Sequence, residues 1–274
     1  MIWFWLCVPR PLFPADYSTV LESRDGELLG ARISSDGQWR FPPPDSIPYR
    51  FSKSIVLFED AWFYQHPGIN PFSLARALVQ NLKAGKVVSG GSTLTMQVAR
   101  LARPGKKRSL QQKLVEMIWS ANLEIRYSKR EILRYYVTQA PFGGNVVGLE
   151  AASWRYYNRS PGQLSWAESA TLAVLPNAPT LIYPGRNDSL LLKKRNRLLE
   201  KLFRKGVMDS LTYALSLTEA LPGRVYPLPA ESYHLLEHAV KNERGKRTVS
   251  TIDLSLQREV NQAVLRWVPQ LSAI

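Results

Sequence analysis

The chain has 274 residues, of which 45% are hydrophobic, 11% aromatic and 21% charged; this excludes a disordered, coiled-coil or disulfide-stapled protein and is enough to bury one or two cores. Its 36 Lys and Arg against 22 Asp and Glu leave a formal net charge of +14, which calls for an anionic partner: nucleic acid, lipid headgroups or a phosphorylated substrate. The single cysteine, Cys7, rules out an internal disulfide and a cysteine-based zinc site.

The excess charge is uneven. Residues 1–58 are balanced at six basic and six acidic groups, whereas residues 59–140 carry 13 against five. In chain order, the opening MIWFWLCV would make only about 12 Å of helix against a hydrocarbon core of about 30 Å. Residues 1–16 therefore read as the remnant of a membrane anchor, either the end of a longer span or an interfacial segment. Residues 17–53 alternate β-prone pieces with turn signals at Asp25-Gly26 and Asp36-Gly37, predicting a small β-hairpin region closed by Pro42–Pro44.

From Ser54 the spacing becomes helical. Asn70-Pro71 predicts a helix to about Lys83, stopped by Gly85. Ser109 opens another, and Ser128 with Glu131 and Ser165 with Glu168 form capping boxes for two more. Asp188 starts a long basic amphipathic helix to about Lys205, with a shorter one over 208–220. After the Pro- and Gly-rich stretch 222–230, TVSTID and LSLQREVNQAVLRWV predict a strand and a helix of a different unit.

Three stretches carry chemistry. Glu59 and Asp60 are adjacent carboxylates in the apolar run IVLFEDAWFY, where desolvation raises a carboxyl pKa toward that of a useful general base; on one continuous helix Glu59 and Phe63 would share a face, and His66 and Gly68 follow. Gly90-Gly91-Ser92-Thr93, ahead of Thr95 and Gln97, predicts a helix start whose amides and hydroxyls take phosphate oxygens; Arg100 and further cations follow. Lys113 and Glu116 lie three apart on the helix after Ser109, with Ser120 continuing their face and Leu114, Ile118 and Ala121 predicted toward the core.

These stretches, in this order, resemble the signature blocks of the peptidoglycan glycosyltransferase domain of class A penicillin-binding proteins. Two later blocks agree: SKREILRYY with Phe142-Gly143-Gly144, and Glu168 through Leu175-Pro176-Asn177-Ala178-Pro179. The phrase from Ala140 to Asn145 is most similar to the 1C branch of that family. Departures are Met96 and Leu101, where the family usually has Gln and Asn, and Thr138, where it usually has Asn.

The resemblance implies a mainly α, lysozyme-like fold over residues 54–221, with residues 222–274 as a linker and the truncated α+β start of a missing transpeptidase domain; no Ser-x-x-Lys or Lys-Thr-Gly occurs in the sequence. It implies polymerisation of lipid II into glycan strands, with inversion at the donor sugar and release of undecaprenyl pyrophosphate, at the outer, periplasmic face of the cytoplasmic membrane. Glu59 would be the general base and Glu116 would assist at the pyrophosphate, directly or through a divalent cation, Mg²⁺ or Mn²⁺. Substrate contacts would fall to Asp60, Phe63, His66, Gly90, Gly91, Ser92, Thr93, Thr95, Gln97, Arg100, Lys113 and Tyr136. Implied partners are lipid II, the growing glycan, the membrane surface and other cell-wall synthesis proteins; nucleic acid is not expected, because no nucleic-acid motif accompanies the charge. A lysozyme-like hydrolase and a catalytically degenerate scaffold are the alternatives.

Overall fold

A computed structural model of the chain describes residues 7–14, 16–86, 90–105, 109–177 and 184–271. Most of the described chain is helical, as expected. Strands β1 (Thr19–Glu22) and β2 (Leu28–Arg32) form an antiparallel hairpin, and β3 (Trp39–Arg40) follows. The helices are α1 (Tyr49–Glu59), α2 (Pro71–Ala84), α3 (Leu94–Leu101), α4 (Leu110–Arg126) and α5 (Lys129–Gln139), then α6 (Leu149–Tyr157), α7 (Trp166–Val174), α8 (Asp188–Arg204) and α9 (Ser210–Thr218). Strands β4 (Pro141–Gly143) and β5 (Val146–Val147) separate α5 from α6; α10 (Tyr233–Asn242), β6 (Arg247–Val249) and α11 (Leu254–Leu271) close the chain.

The local signals are realised as side-chain caps. Asn70 accepts from the Ser73 amide and Gly85 ends α2 with φ of 62°; Ser109 accepts from the Gln112 amide. Both capping boxes form, Ser128 with Glu131 and Ser165 with Glu168, each satisfying amides that a helix start leaves unpaired. Helix α7 is the centre of the core. Its residues Ala167 and Ser169 through Val174 are all buried, the pattern of a helix surrounded by others, and α1 and α8 pack on it.

Two expectations are corrected, and two terminal segments are placed. Helix α1 begins at Tyr49, five residues before the predicted start at Ser54, and it ends at Glu59, so Phe63 belongs to a separate 3-10 turn, Phe63–Gln65. Strand β3 does not pair with β2; it runs parallel to β5, a long-range pairing that no turn signal encodes. Near the end of the chain, β6 lies parallel to β1 and completes the hairpin's sheet in the order β2-β1-β6. There Arg247 pairs with both Glu22 and Glu150, tying the closing strand to α6. Finally, Val8 and Leu12 are buried in the main core and Arg126 donates to the Val8 carbonyl at 3.2 Å, so the segment from residue 8 packs on the domain. Residues 1–6 of the predicted anchor lie outside the described residues, as do Ala178 and Pro179. Among the described residues, no helix is long and apolar enough to cross a membrane.

Helix α4 is turned relative to its apolar pattern. Its inner face is Glu116, Trp119, Ser120 and Leu123, all buried, while Leu114 is 60% and Ile125 61% exposed and Ile118 also points outward. In this orientation α4 packs on α3, Trp119 and Leu123 supply its apolar contact, and the buried Glu116 carboxylate meets Arg100, without which a buried charge would cost several kcal/mol.

Candidate active site

Glu59 is the last residue of α1. The backbone leaves helical geometry at Asp60, with φ of −159° and ψ of 79°, so the two neighbouring carboxylates diverge. Asp60 turns inward. Its Oδ2 lies 2.9 Å from His66 Nε2 and accepts from the Leu94 amide at 3.0 Å, at the start of α3. Thr93 caps the same helix, accepting from the Met96 amide, and its hydroxyl donates to the Gly68 carbonyl at 2.5 Å. The first and second blocks are thus stitched together, and this fixes α3 against α1.

The stitching corrects the predicted phosphate cradle. The amide end of α3 is already capped by the Asp60 carboxylate and the Thr93 hydroxyl, which occupy the place an anion would take. Gly91 serves packing: a Cβ there would sit 2.8 Å from Leu74 Cα of α2. Gly90 is exposed, with open space around it. Phe63 and Thr95 are fully buried; Lys129 lies 4.5 Å over the Phe63 ring, and Thr95 donates to Glu124, which also pairs with Lys129 at 2.7 Å. Asp60, Phe63, His66, Thr93 and Thr95 therefore hold the scaffold of the site.

Gly68 shows how tight that scaffold is. Its φ is 88°, and a Cβ would lie 2.8 Å from Glu124 Cγ and 2.9 Å from the Ser120 carbonyl oxygen. Gly68→Ala is expected to destabilise the protein by about 2–3 kcal/mol through a strained backbone and the clash, read as a lower denaturant midpoint with unchanged slope.

Glu59 faces the other way. Gln97, one turn into α3, donates to its Oε2 at 2.7 Å, and its Oε1 is buried with no hydrogen-bond partner among the described residues. Glu59, Asp60, Gly90, Ser92 and Thr93 line a cleft of about 160 Å³, with Arg76 and Lys201 also on its wall. Burial is the main influence on the Glu59 carboxyl and pushes its pKa above the ordinary carboxylate range. The Gln97 hydrogen bond and the charges of Lys194 and Arg100 pull it back down, and Asp60 pushes it up. The result is a carboxylate more basic than an ordinary one, as a general base requires.

Beside it, Arg100 of α3 makes a bidentate pair with Glu116 of α4, Nε to Oε1 and Nη2 to Oε2 both at 2.8 Å, and Nη2 lies 3.5 Å from Ser92 Oγ. Glu116 is only 7% exposed, so the guanidinium is held in one orientation by a planar two-point contact. That contact raises the Arg100 pKa and keeps it cationic. Tyr136 of α5 is buried in the same neighbourhood, its hydroxyl without a hydrogen-bond partner among the described residues, and burial with the charge of Glu59 keeps it neutral. Lys113 stands one turn before Glu116, half-buried, with no carboxylate partner among the described residues.

Lys194 was not legible as a site residue, because a lysine on a basic amphipathic helix has the signature of a solvated face. In the fold it is half-buried, and its Nζ donates to Asn177 Oδ1 at 3.0 Å. Asn177 lies in the matched Leu-Pro-Asn block, the one sequence signal that could have led to it. Burial lowers the Lys194 pKa and the charge of Glu59 opposes this. Lys194→Gln removes a charge that favours ionised Glu59, so the acid limb of the pH–rate profile is expected to move to higher pH with the plateau little changed, and Lys194→Arg to restore it.

A protein-held metal ion does not fit this arrangement. Both Glu116 oxygens are taken by Arg100, and the described residues contain no group of three or more His, Cys, Asp or Glu that could hold one. A divalent cation would have to be brought in by a bound ligand.

A family model described as Transglycosylase matches residues 25–203. Penicillin-binding protein 1C of Escherichia coli strain K12 is 37% identical over 265 residues, covering 96% of this chain and 34% of that protein. Penicillin-binding protein 1B of Haemophilus influenzae is 33% identical over 271 residues, covering 92% of this chain and 35% of that protein. The crystal structure of penicillin-binding protein 1A from Haemophilus influenzae aligns with 92% of this chain and 29% of that one, at TM-score 0.44 and 17% identity. The chain spans about a third of the length of the curated relatives it matches.

Proposed function

Since the chain belongs to the transglycosylase family, we propose that it is a peptidoglycan glycosyltransferase that joins lipid II units into glycan strands. One observation carries the reading: the Glu59 carboxylate lies on a cleft with a buried oxygen that no described residue hydrogen-bonds, beside an arginine fixed by a second carboxylate.

The chemistry follows from what each group is able to do. Glu59 Oε1 accepts the proton of the acceptor sugar's 4-hydroxyl as that oxygen attacks the anomeric carbon of the donor. The bond from that carbon to the diphosphate oxygen breaks, and the electron pair leaves with the polyprenyl diphosphate. Attack from the face opposite the leaving group inverts the anomeric carbon. Charge accumulates on the departing diphosphate, where Arg100, held by Glu116, and Lys113 stabilise it in place.

The hydrolase alternative is disfavoured by carboxylate bookkeeping. A glycosidase breaks a bond to a poor alkoxide leaving group and needs two working carboxyl groups, one of them a neutral acid. Here Glu116 is bound to Arg100 and Asp60 to His66 and the α3 amide, which leaves Glu59 alone. One base with a cationic pocket suits a donor whose leaving group is already activated. The outward Leu114, Ile118 and Ile125 of α4 and Phe72 and Leu82 of α2, with the net charge of +14, support work at an anionic membrane surface, on the periplasmic face where the substrate is presented.

The test is incubation with labelled lipid II and, separately, with finished glycan. Polymer and free polyprenyl diphosphate from the first, with no reducing ends from the second, is the expected result. Release of reducing ends from finished glycan without polymer would favour the hydrolase, and neither product would favour a scaffold.

A further inference from the structure

Helix α8 carries a row of cations of which the mechanism uses only the first. Lys194, Arg197, Lys201 and Lys205 follow one another at steps of three, four and four residues, which sets them on one face over about 16 Å. The row starts beside the catalytic carboxylate and leads away from it. The charge of Lys194 reaches Glu59, and Lys201 is on the wall of the Glu59 cleft. Lys205 lines a second hollow, of about 350 Å³, that shares Leu57, Ala61 and Trp62 with that cleft. No acid answers these charges. Arg197, Lys201 and Lys205 have no carboxylate partner among the described residues, and Glu200, the acid in the same stretch of α8, is taken by Arg204. Burial lowers the Lys201 pKa, and the charges of Arg197 and Arg76 lower it further, so these cations stand close enough to repel one another. Like charges at this spacing cost a helix stability, and an extended anion lying along the row would relieve it.

Two features say which anion. The row opens from the cleft in which the sugars react, so its ligand is joined to those sugars. The second hollow also presents the rings of Trp62 and Tyr64, each 59% exposed, flat apolar faces suited to covering a sugar ring. The diphosphate does not account for the row, because Arg100 and Lys113 of α3 and α4 meet it and it is too compact to span four side chains. The part of a peptidoglycan precursor that is anionic, extended and attached to the sugar is its stem peptide, which hangs from the lactyl group of muramic acid and carries free carboxylates. We propose that the α8 row is a track for the carboxylates of the stem peptides, holding the glycan strand as it leaves Glu59. The proposal rests on the glycosyltransferase reading and adds to it a preference for strands that carry acidic peptides. Lys53 of α1, on the wall of the second hollow, adds a further cation there.

The test uses uncross-linked glycan strands of one length in three forms: with their peptides, with the peptide carboxylates converted to amides, and stripped of peptides by an amidase. Binding to the full chain in detergent is measured by fluorescence anisotropy. Wild type is expected to bind the peptide-bearing strand at least about tenfold more tightly than the other two, and the difference should shrink at high salt, as charge contacts at a surface do. The double variant Arg197→Gln with Lys205→Gln, both at exposed positions, is expected to reduce the difference to about threefold or less while binding of the stripped strand stays within about twofold of wild type. Arg197→Lys with Lys205→Arg keeps the charges and should keep the preference. The proposal is overturned if the tenfold difference survives in the neutral variant, or if wild type binds the three forms alike. It is equally overturned if the neutral variant loses binding to vesicles containing phosphatidylglycerol while its strand preference is intact, which would give the row to the membrane surface. Failure to polymerise lipid II would strike the glycosyltransferase reading instead, and the binding measurements do not depend on turnover.

Discussion

Glu59→Gln is expected to lose lipid II polymerisation by about 10²–10⁴-fold while the protein becomes more stable at neutral pH. The two effects share one cause. Glu59 is a carboxylate held largely out of water, with its pKa raised by burial and sited at the negative end of α1, where a like charge is disfavoured. A carboxyl whose pKa is higher in the folded than in the unfolded state binds more protons folded, so folding stability falls as pH rises from the unfolded value through the folded one. Above that window the ionised group is a net cost to the fold. A neutral amide removes the cost and still accepts a hydrogen bond from Gln97. The midpoint should rise by roughly 2–4 °C for each kcal/mol relieved, and the rise should vanish in acid, where the wild-type carboxyl is protonated. Thermal melts at neutral and acid pH with a polymer assay on the same samples check this; a drop in stability with activity retained would mean that Glu59 is a structural residue.

The second large effect concerns the pair that anchors the leaving-group side. Arg100→Met is expected to cost about 10²–10³ in rate, the range for removing one preorganised charge-stabilising donor, and about 2–3 kcal/mol in stability, because Glu116 is left buried and unpaired. That figure is below the usual loss for breaking a buried pair, since the Arg100 side chain is 35% exposed and partly screened. The double variant Arg100→Met with Glu116→Gln removes the orphaned charge, so most of the stability should return. The rate should not. This non-additivity in stability alone separates the two roles of the contact: Glu116 positions the guanidinium, and the guanidinium stabilises the developing diphosphate charge. Rates from single turnovers and denaturant titrations of the three variants supply the comparison; recovery of both quantities together would show that Arg100 matters to catalysis only through folding.

How much of this was legible in the sequence depends on the range of each interaction. The caps at Asn70, Ser109, Ser128 and Ser165 were readable because a cap is decided within four residues. Glu59, Gln97, Arg100, Glu116 and Tyr136, marked along the chain by the order of the blocks, do converge in space. What failed was whatever needed a partner distant in the chain. The pairing of β3 with β5 and of β6 with β1 leaves no local signal. Leu114 and Ile118 have the periodicity of a core face, but α4 buries Glu116, Trp119 and Leu123 instead, against partners that spacing does not reveal. Asp60 and Thr93 were expected at the substrate because they sit among residues that touch the cleft; the structure gives them to the start of α3, where they build the site from below. Lys194 and Arg76 were hidden for the opposite reason, since charged residues on amphipathic helices look like solvent-facing ones until the fold brings them to a cleft.

The most direct test of the account is the pH dependence of lipid II consumption in single turnovers, for wild type beside Glu59→Gln. The account predicts one acid limb in wild type, displaced above the ordinary carboxylate range by the burial of Glu59, and in the variant a residual rate without that limb. Substantial turnover by Glu59→Gln with the same acid limb would contradict it, because the titrating base would then be another group.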